Sequence, residues 1–303
     1  MASLFLVNPG SGKRKGRDIG KIRDLIHSTY SDAGKAVEVQ QIDFTHLDDV
    51  LNTAADRGFT RVFAAGGDGT VNAVGTRLAG TNLHFGVIPI GSGNGYARNI
   101  GFSIHTPLAI RQSLDTRTIQ VDTGVFGRHP FLNVAGVGLD AEVAAEFALA
   151  KTRGFGQYVK KSVSGLLSFE ERDYELVVDG KEILAENVMA VAIANGAQWG
   201  YDAKISPTSS LQDGLLDVVV IEHFPLIKVT PILASLFNGK IMESKFVRII
   251  PGREILIRRK EAGVAQVDGE PIQEEAEIRA WIREKTLNLM HPASLTRQKV
   301  ARI

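Results

Sequence analysis

The run Gly66-Gly67-Asp68-Gly69-Thr70 limits what this chain can fold into more than any other stretch. An apolar segment, Val62-Phe63-Ala64-Ala65, precedes it, and a helix-like segment, Val71 to Leu78, follows. That order reads as strand, glycine turn, helix, with the helix opening at about Thr70. Glycine lets the backbone turn sharply and bring its N–H groups close to an anion. A helix that starts there adds the positive end of its dipole. A phosphate is the expected guest. A purely structural glycine turn is the competing reading, and polar Asp68 and Thr70 weigh against it. Asp68 would repel a phosphate, so its expected work is to order the loop, to accept a ribose hydroxyl or to reach a metal.

The surrounding pattern extends this unit into an α/β layer. Strands are expected at Ser3–Val7, Val37–Ile42, Arg61–Ala65 and Phe85–Ile90, and helices at Asp18–Tyr30, after Thr45, and at Thr106–Leu114. Ile19, Ile22, Leu25 and Ile26 recur at helical spacing, and Thr45 reads as an N-cap with Asp48 three residues on. Alternation of strand and helix argues for a parallel sheet. Two more glycine-rich loops, Asn8-Pro9-Gly10-Ser11-Gly12 and Gly91-Ser92-Gly93-Asn94-Gly95, follow the first and fourth strands. Ligands bind at that edge of open α/β sheets, so three such loops together are stronger evidence than one.

The pattern changes near residue 119. Strands are expected at 120–126, 130–134, 174–178, 182–185, 188–194, 215–222, 246–250, 254–258 and 277–283, with helices at 141–150, 156–169 and 226–237. Asp179-Gly180 marks a hairpin. The fold expected is an α/β nucleotide-binding domain with a parallel sheet over 1–120, followed by a mainly antiparallel β-rich domain over 121–286, with an active-site cleft between them. At 303 residues the chain is long enough for two domains. A net charge of +1 gives no support to nucleic-acid binding, and the absence of cysteine excludes disulfides and thiolate metal sites. Met1 to Val7 reads as a first strand rather than a signal peptide, and no run approaches the length of a membrane span.

Carboxylates in glycine turns recur late in the chain. Asp268-Gly269-Glu270 supplies two, and Asp213-Gly214 another. An ordinary Asp-Gly turn is the competing reading for both. Asp122 and Asp140 read best as solvated acids at strand edges. The histidines show no metal-type spacing, and no lysine-bearing phosphate loop or Gly-x-Gly-x-x-Gly dinucleotide turn follows a strand.

Taken in order, Val7-Asn8-Pro9-Gly10-Ser11-Gly12, Gly66-Gly67-Asp68-Gly69-Thr70-Val71-Asn72, Pro89-Ile90-Gly91-Ser92-Gly93-Asn94 with Ala97-Arg98, Asn195-Gly196, Asp213-Gly214-Leu215-Leu216-Asp217 and Val267-Asp268-Gly269-Glu270 span nearly the whole chain. The sequence resembles the diacylglycerol-kinase-like lipid kinases, which include bacterial lipid kinases, sphingosine kinases and ceramide kinases. The resemblance implies an NAD kinase/phosphofructokinase-like N-terminal domain, a β-sandwich-like C-terminal domain, and a last segment (287–303) that returns to the first. It implies transfer of the ATP γ-phosphoryl group to a lipid hydroxyl. Asn8, Thr45, Gly66, Gly67, Asp68, Gly69, Thr70, Val71, Asn72 and Ser92 would lie around ATP. Asp213 would hold Mg2+ with the backbone carbonyls of Ser210 and Leu215. Glu270 matches the proton acceptor, beside Asp268, and the residues alone do not decide which of the two is the base.

Many bacterial diacylglycerol kinases carry Gly-Thr-x-Asn-Asp-Phe-Ala-Arg where this chain has Gly91-Ser92-Gly93-Asn94-Gly95-Tyr96-Ala97-Arg98. Ser92 keeps a hydroxyl, whereas Gly95 removes a carboxylate. The loop is closer to the sphingosine and ceramide kinase form, and the acceptor class stays open between diacylglycerol and sphingoid lipids. The other readings are an NAD kinase-like small-molecule kinase and a nucleotide- or lipid-binding protein without turnover. The expected partner is a lipid substrate at a membrane surface, reached peripherally from the cytoplasm, with no nucleic acid and with room for a homodimer. Tyr158, Val159, Val163, Leu166 and Leu167, near Lys151, Arg153, Lys160 and Lys161, read either as core packing or as the border of a lipid entrance. The basic run Lys13-Arg14-Lys15-Gly16-Arg17 reads equally as a solvated surface or as a neighbour of phosphate or anionic lipid.

Overall fold

A computed structural model of the chain describes residues 2–11, 19–148, 156, 165 and 169–293. The basic run at 13–17, the side chains named on the helix expected across 156–169, and residues 294–303 lie outside the described residues. The chain divides into two compact units, Met1–Val121 with a return from Lys285 onward, and Asp122–Glu284.

The first unit opens with β1 (Ala2–Val7), α1 (Ile19–Asp32), β2 (Val37–Gln41), α2 (Leu47–Ala54), β3 (Phe59–Gly66), α3 (Asp68–Leu78), β4 (His84–Pro89), α4 (Gly95–Asn99) and α5 (Thr106–Gln112). The strands lie parallel in the order β4-β3-β1-β2. β1, β3 and β4 are buried along almost their whole length, the pattern of a parallel sheet covered on both faces. Phe5 and Phe63 stack with ring centroids 4.6 Å apart, and Tyr30 from α1 meets Phe5 edge-on at 5.2 Å. Gly86 makes room for the Phe63 ring, since a Cβ there would stand 2.4 Å from it.

β5 (Thr116–Phe126) leads into the second unit. There follow β6 (His129–Phe131), β7 (Val134–Gly138), α6 (Leu139–Ala148), β8 (Arg172–Val178), β9 (Lys181–Ala194), β10 (Gln198–Gly200), β11 (Ala203–Lys204), β12 (Leu216–Glu222), α7 (Val229–Asn238), β13 (Val247–Gly252), β14 (Glu254–Arg258), β15 (Gly263–Val267), β16 (Glu270–Glu274) and β17 (Glu277–Pro292). Pairing within this unit is antiparallel, through β16-β15-β7-β9-β8-β14-β17, with β12 between β9 and β13. It is an antiparallel β-sandwich. β9 shows how the interior is made. Its Val191 and Ile193 join Phe126, Phe131, Tyr174 and Val218 in one apolar cluster. The alternate residues, Ala190, Ala192 and Ala194, form a flat small-residue face under Ile232 and Leu236 of α7.

Several segments differ from the sequence expectation, among them the hairpin β15–β16, where no strand was expected. Residues 182–194, expected as two strands, form the single strand β9, irregular at Asn187, whose φ is +57°. That residue lets the first half of β9 pair with β8 and the second half with β7 and β12. The last strand, expected to end at Arg283, runs on to Pro292, and its Asn288 and Leu289 pair parallel to β4 in the first unit.

The second and third glycine loops bring their backbones close together. A Cβ on Gly91 would stand 2.5 Å from the Gly67 Cα. Gly91→Ala is therefore expected to cost about 1–3 kcal/mol by overpacking against backbone that cannot swing away. Gly263→Ala, where the nearest atom would be 3.9 Å off, should stay within about 0.5 kcal/mol of the parent. Thermal denaturation of the two variants checks this, and equal denaturation temperatures would contradict the close approach.

Candidate active site

In the first unit the loops after β1, β3 and β4 emerge from adjacent parallel strands and are cross-linked by named side chains. Asn8 donates through Nδ2 to Thr70 Oγ1 at 2.7 Å, while its Oδ1 accepts the Gly10 N–H at 2.8 Å. Ser11 Oγ accepts the Gly67 N–H at 3.2 Å. Asp68 Oδ1 accepts the Tyr96 N–H at 3.2 Å, joining the second loop to α4. Asn94 takes a left-handed conformation (φ +50°) and donates from Nδ2 to the Gly91 carbonyl at 2.9 Å. A Cβ on Gly66 would sit 2.3 Å from the Thr70 side chain, so that glycine is what lets Thr70 turn inward and be buried.

The helix α3 opens at Asp68, with Gly67 as its N-cap, two residues earlier than expected. Asp68, Gly69 and Thr70 thus form its first turn, where backbone N–H groups have no helical acceptor. Val71 closes the first helical bond, from its N–H to the Gly67 carbonyl at 3.0 Å, and Asn72 lies one residue further along α3. The Thr70 hydroxyl, expected near a ligand, accepts the Asn8 amide and cross-links the first two loops. Ser92 is partly exposed at the tip of the third loop. What this arrangement offers an anion is a ring of peptide dipoles held at fixed positions.

Thr45 differs from its expected role as the N-cap. α2 begins at Leu47, and its N-cap position is His46, which makes no side-chain capping bond. Thr45 donates from Oγ1 and from its N–H to Asp43 Oδ1 at 2.7 and 3.0 Å, and His46 Nδ1 lies 2.9 Å from Asp43 Oδ2. The Thr45 hydroxyl bond, with help from His46, holds the Asp43 carboxyl down to about 2. The same pair raises the His46 imidazole above its ordinary value.

In the second unit the loop before β12 gathers three acids. Asp122 is buried, not solvated as expected; its Oδ2 accepts the Gly214 N–H at 2.8 Å. Asp217 Oδ2 accepts hydroxyl bonds from Ser206 and Ser209 at 2.6 and 2.7 Å. Asp213 Oδ1 accepts the Leu215 N–H at 3.1 Å, and Ser210 Oγ accepts the Gln212 N–H at 3.2 Å. Partial burial, and then repulsion from Asp217 and Asp122, pushes the Asp213 carboxyl up. Among the described residues, no group of three or more His, Cys, Asp or Glu side chains is arranged to hold a metal. Mg2+ accepts one carboxylate completed by backbone carbonyls and water, and a cation beside Asp213 would relieve the repulsion it feels. The residues present therefore fit such an ion. Asn195 anchors the neighbouring backbone, donating from Nδ2 to the carbonyls of Asp122 and Leu132 at 3.0 and 2.8 Å.

The Asp268-Gly269 pair is the two-residue turn of the β15–β16 hairpin, with φ of +49° and +84° and Val267 paired with Glu270. Its acids have different surroundings. The Asp268 carboxylate accepts three backbone N–H groups, from Leu132, Asn133 and Val134, at 2.9, 2.8 and 3.0 Å. Glu270 is exposed on the first residue of β16. Behind the turn, Gln266 Oε1 accepts the Gly269 N–H at 2.9 Å, and Gln266 Nε2 donates to Asp140 Oδ2 at 3.2 Å. Sequence reasoning missed Gln266, which carries no motif; its signal is only a polar residue in an otherwise apolar strand. Asp140 was expected to be solvated. Some of the residue surface stays accessible, but the carboxyl is enclosed, and burial pushes it up to about 7. Gly136 leaves space for it, as a Cβ there would lie 2.8 Å from Oδ2.

Comparison with known proteins covers both units. Residues 2–126 match the diacylglycerol kinase catalytic domain, and residues 133–291 match the YegS C-terminal NAD kinase beta sandwich-like domain. A "Probable lipid kinase YegS-like" protein of Pseudomonas fluorescens is 31% identical over 230 residues, spanning 74% of this chain and 75% of that one. The "Diacylglycerol kinase" of Bacillus subtilis is 27% identical over 233 residues, spanning 75% and 76%. The crystal structure of a diacylglycerol kinase from Bacillus anthracis superposes with a TM-score of 0.69 at 17% identity, covering 97% of this chain and 98% of that one, which establishes likeness of fold.

The enclosed Asp140 carboxyl has a signed consequence. Between about pH 4 and pH 7 the folded chain keeps a proton that the unfolded chain has released, so this group lowers stability as pH rises through that interval. Denaturation temperatures measured from pH 5 to 8 should fall more for the parent than for Asp140→Asn, which lacks the titrating group. Parallel curves would mean that the carboxyl is solvated.

Proposed function

The chain belongs to the family of YegS-like and diacylglycerol kinase-like lipid kinases, and on that premise we propose that it transfers the γ-phosphoryl group of ATP to a hydroxyl of a lipid, of diacylglycerol or of sphingoid or ceramide type. The observation that carries the reading is the cross-linked set of three glycine loops beside the N-terminus of α3. Phosphoryl transfer needs little covalent help from the protein; it needs phosphates held still and charge offset in the transition state. In this reading the peptide N–H groups of Asp68 to Thr70, in the first turn of α3, face the nucleotide phosphates, and Ser92 adds a hydroxyl. Asn8 and Thr70 act one step back, since both spend their polar atoms keeping the loops in register.

Mg2+ would be held by Asp213 with the carbonyls of Ser210 and Leu215, where it would neutralise phosphate charge. The two acids of the late hairpin then separate in role. Asp268, with three backbone N–H groups on its carboxylate, serves as a clamp, because those bonds occupy its oxygens and fix the turn. Glu270, on the same turn and exposed, takes the proton from the lipid hydroxyl as the new P–O bond forms. Substrate access is peripheral in this reading; no helix among the described residues is long and apolar enough to cross a membrane.

Two variants separate the acids. With labelled ATP, Mg2+ and detergent-dispersed diacylglycerol, monoacylglycerol, sphingosine and ceramide, Glu270→Ala should lose about 10²–10⁴-fold in turnover while binding ATP as the parent does. Asp268→Asn should instead lower the denaturation temperature, because one oxygen that accepts backbone N–H groups becomes a donor. A Glu270→Ala protein with parental lipid phosphorylation would remove Glu270 from the mechanism. Absence of any labelled lipid with the parent would remove the lipid-kinase reading itself.

A further inference from the structure

The segment around α7 breaks the usual rule for a surface helix. Its inward residues are apolar, as they must be: Ile232 and Leu236 are buried, with Val229 and Leu233 packed beside them on the cluster that includes Ala203, Ile205, Val219 and Phe224. The exposed positions of α7 itself carry no charge: Pro231, Ala234 and Phe237 lie there with the uncharged polar Thr230 and Asn238. A surface helix normally turns a charged and polar face to water.

Leu226 and Ile227, in the 3₁₀ turn Leu226–Lys228 that leads into α7, are 62% and 82% exposed. Phe237 near its end is 38% exposed, and Met242 just beyond is 47% exposed. Pro225, Pro231 and Ala234 are exposed as well, so Lys228 is the one charged residue from Pro225 to Asn238. Large apolar side chains grouped in this way on a soluble surface mark an interaction site.

The local charge selects the partner. Residues 223–245 hold Lys228, Lys240 and Lys245, all exposed, against the single acid Glu243, which lies 3.9 Å from Lys240. Apolar side chains flanked by lysines suit the boundary between acyl chains and anionic headgroups, where the apolar groups enter and the amines stay at headgroup level. A second copy of the same surface would instead bring like charges together.

We propose that the Pro225–Lys245 segment docks on an anionic lipid bilayer, with Leu226, Ile227, Phe237 and Met242 entering the interface. This rests on the lipid-kinase reading, which supplies the reason for a bilayer as partner, and it places that contact on a named surface. The segment is not part of the catalytic or nucleotide-binding residues.

Flotation of the purified full chain with phosphatidylcholine vesicles, with and without one-fifth phosphatidylglycerol, tests it. The parent should float with the anionic vesicles, less so at high salt. The exposed double variant Ile227→Ser/Phe237→Ser should bind at least tenfold more weakly, and Lys228→Glu/Lys240→Glu should lose the preference for phosphatidylglycerol. Both should keep the parental denaturation temperature and parental phosphorylation of a detergent-dispersed acceptor. Variants that float as the parent does would overturn the proposal, even with lipid phosphorylation intact. A parental dimer that the serine variant converts to monomer, seen by sedimentation, would also overturn it and give the surface to a second copy. Selective flotation lost in the variants, in a protein that phosphorylates no lipid, would leave the docking surface standing and remove the kinase reading.

Discussion

Two backbones that nearly touch govern the first unit. Gly67 and Gly91 follow neighbouring parallel strands, and a Cβ on Gly91 would stand 2.5 Å from the Gly67 Cα, so the third loop could not hold its path with a side chain at that point. The sheet sets the strands side by side; the glycines let their ends stay side by side after the strands stop. The remaining devices depend on this approach. Asp68 reaches the Tyr96 N–H because the third loop lies within range, and Asn94 bends back to the Gly91 carbonyl to keep it there. Polar side chains in these loops bind backbone and one another, which fixes the three loops in register.

The second unit uses carboxylates in a comparable way. Asp122 and Asp268 each hold a glycine turn or its neighbour by accepting backbone N–H groups, and Asp217 collects two serine hydroxyls. Asp140 is the exception. It accepts one amide from Gln266 and one backbone N–H from Ala141, too few to offset its burial, and its carboxyl rises accordingly.

Much of this was legible in the sequence, for identifiable reasons. Apolar runs followed by glycine loops located β1, β3 and β4 and the loops after them, because parallel strands covered on both faces are apolar throughout. The β15–β16 hairpin was legible only at its turn: Asp268-Gly269 had an Asp-Gly turn as its competing reading, but no strand was expected on either side, because Gly263-Val264-Ala265-Gln266-Val267 alternates weakly. Thr45 has the composition of an N-cap, but Asp43 competes for its hydroxyl and N–H at shorter range. The burial of Asp122 and Asp140 was hidden for another reason. Their partners, Gly214 and Gln266, lie 92 and 126 residues away in sequence, and no local pattern announces a bond of that span.

The long strand β17 carries a consequence for biosynthesis. Its last residues pair with β4, and the sulfur of Met290 lies 3.2 Å from Nε of Arg61, a buried guanidinium that also donates to the Ser113 carbonyl and to Thr116. The N-terminal unit is therefore completed by residues made only after the second unit. While the ribosome is still producing the second unit, β4 has an unpaired edge and Arg61 lacks one of its neighbours. The nascent N-terminal unit waits, unfinished, while all of the second unit is made, and it is in that interval that a chaperone has most to protect.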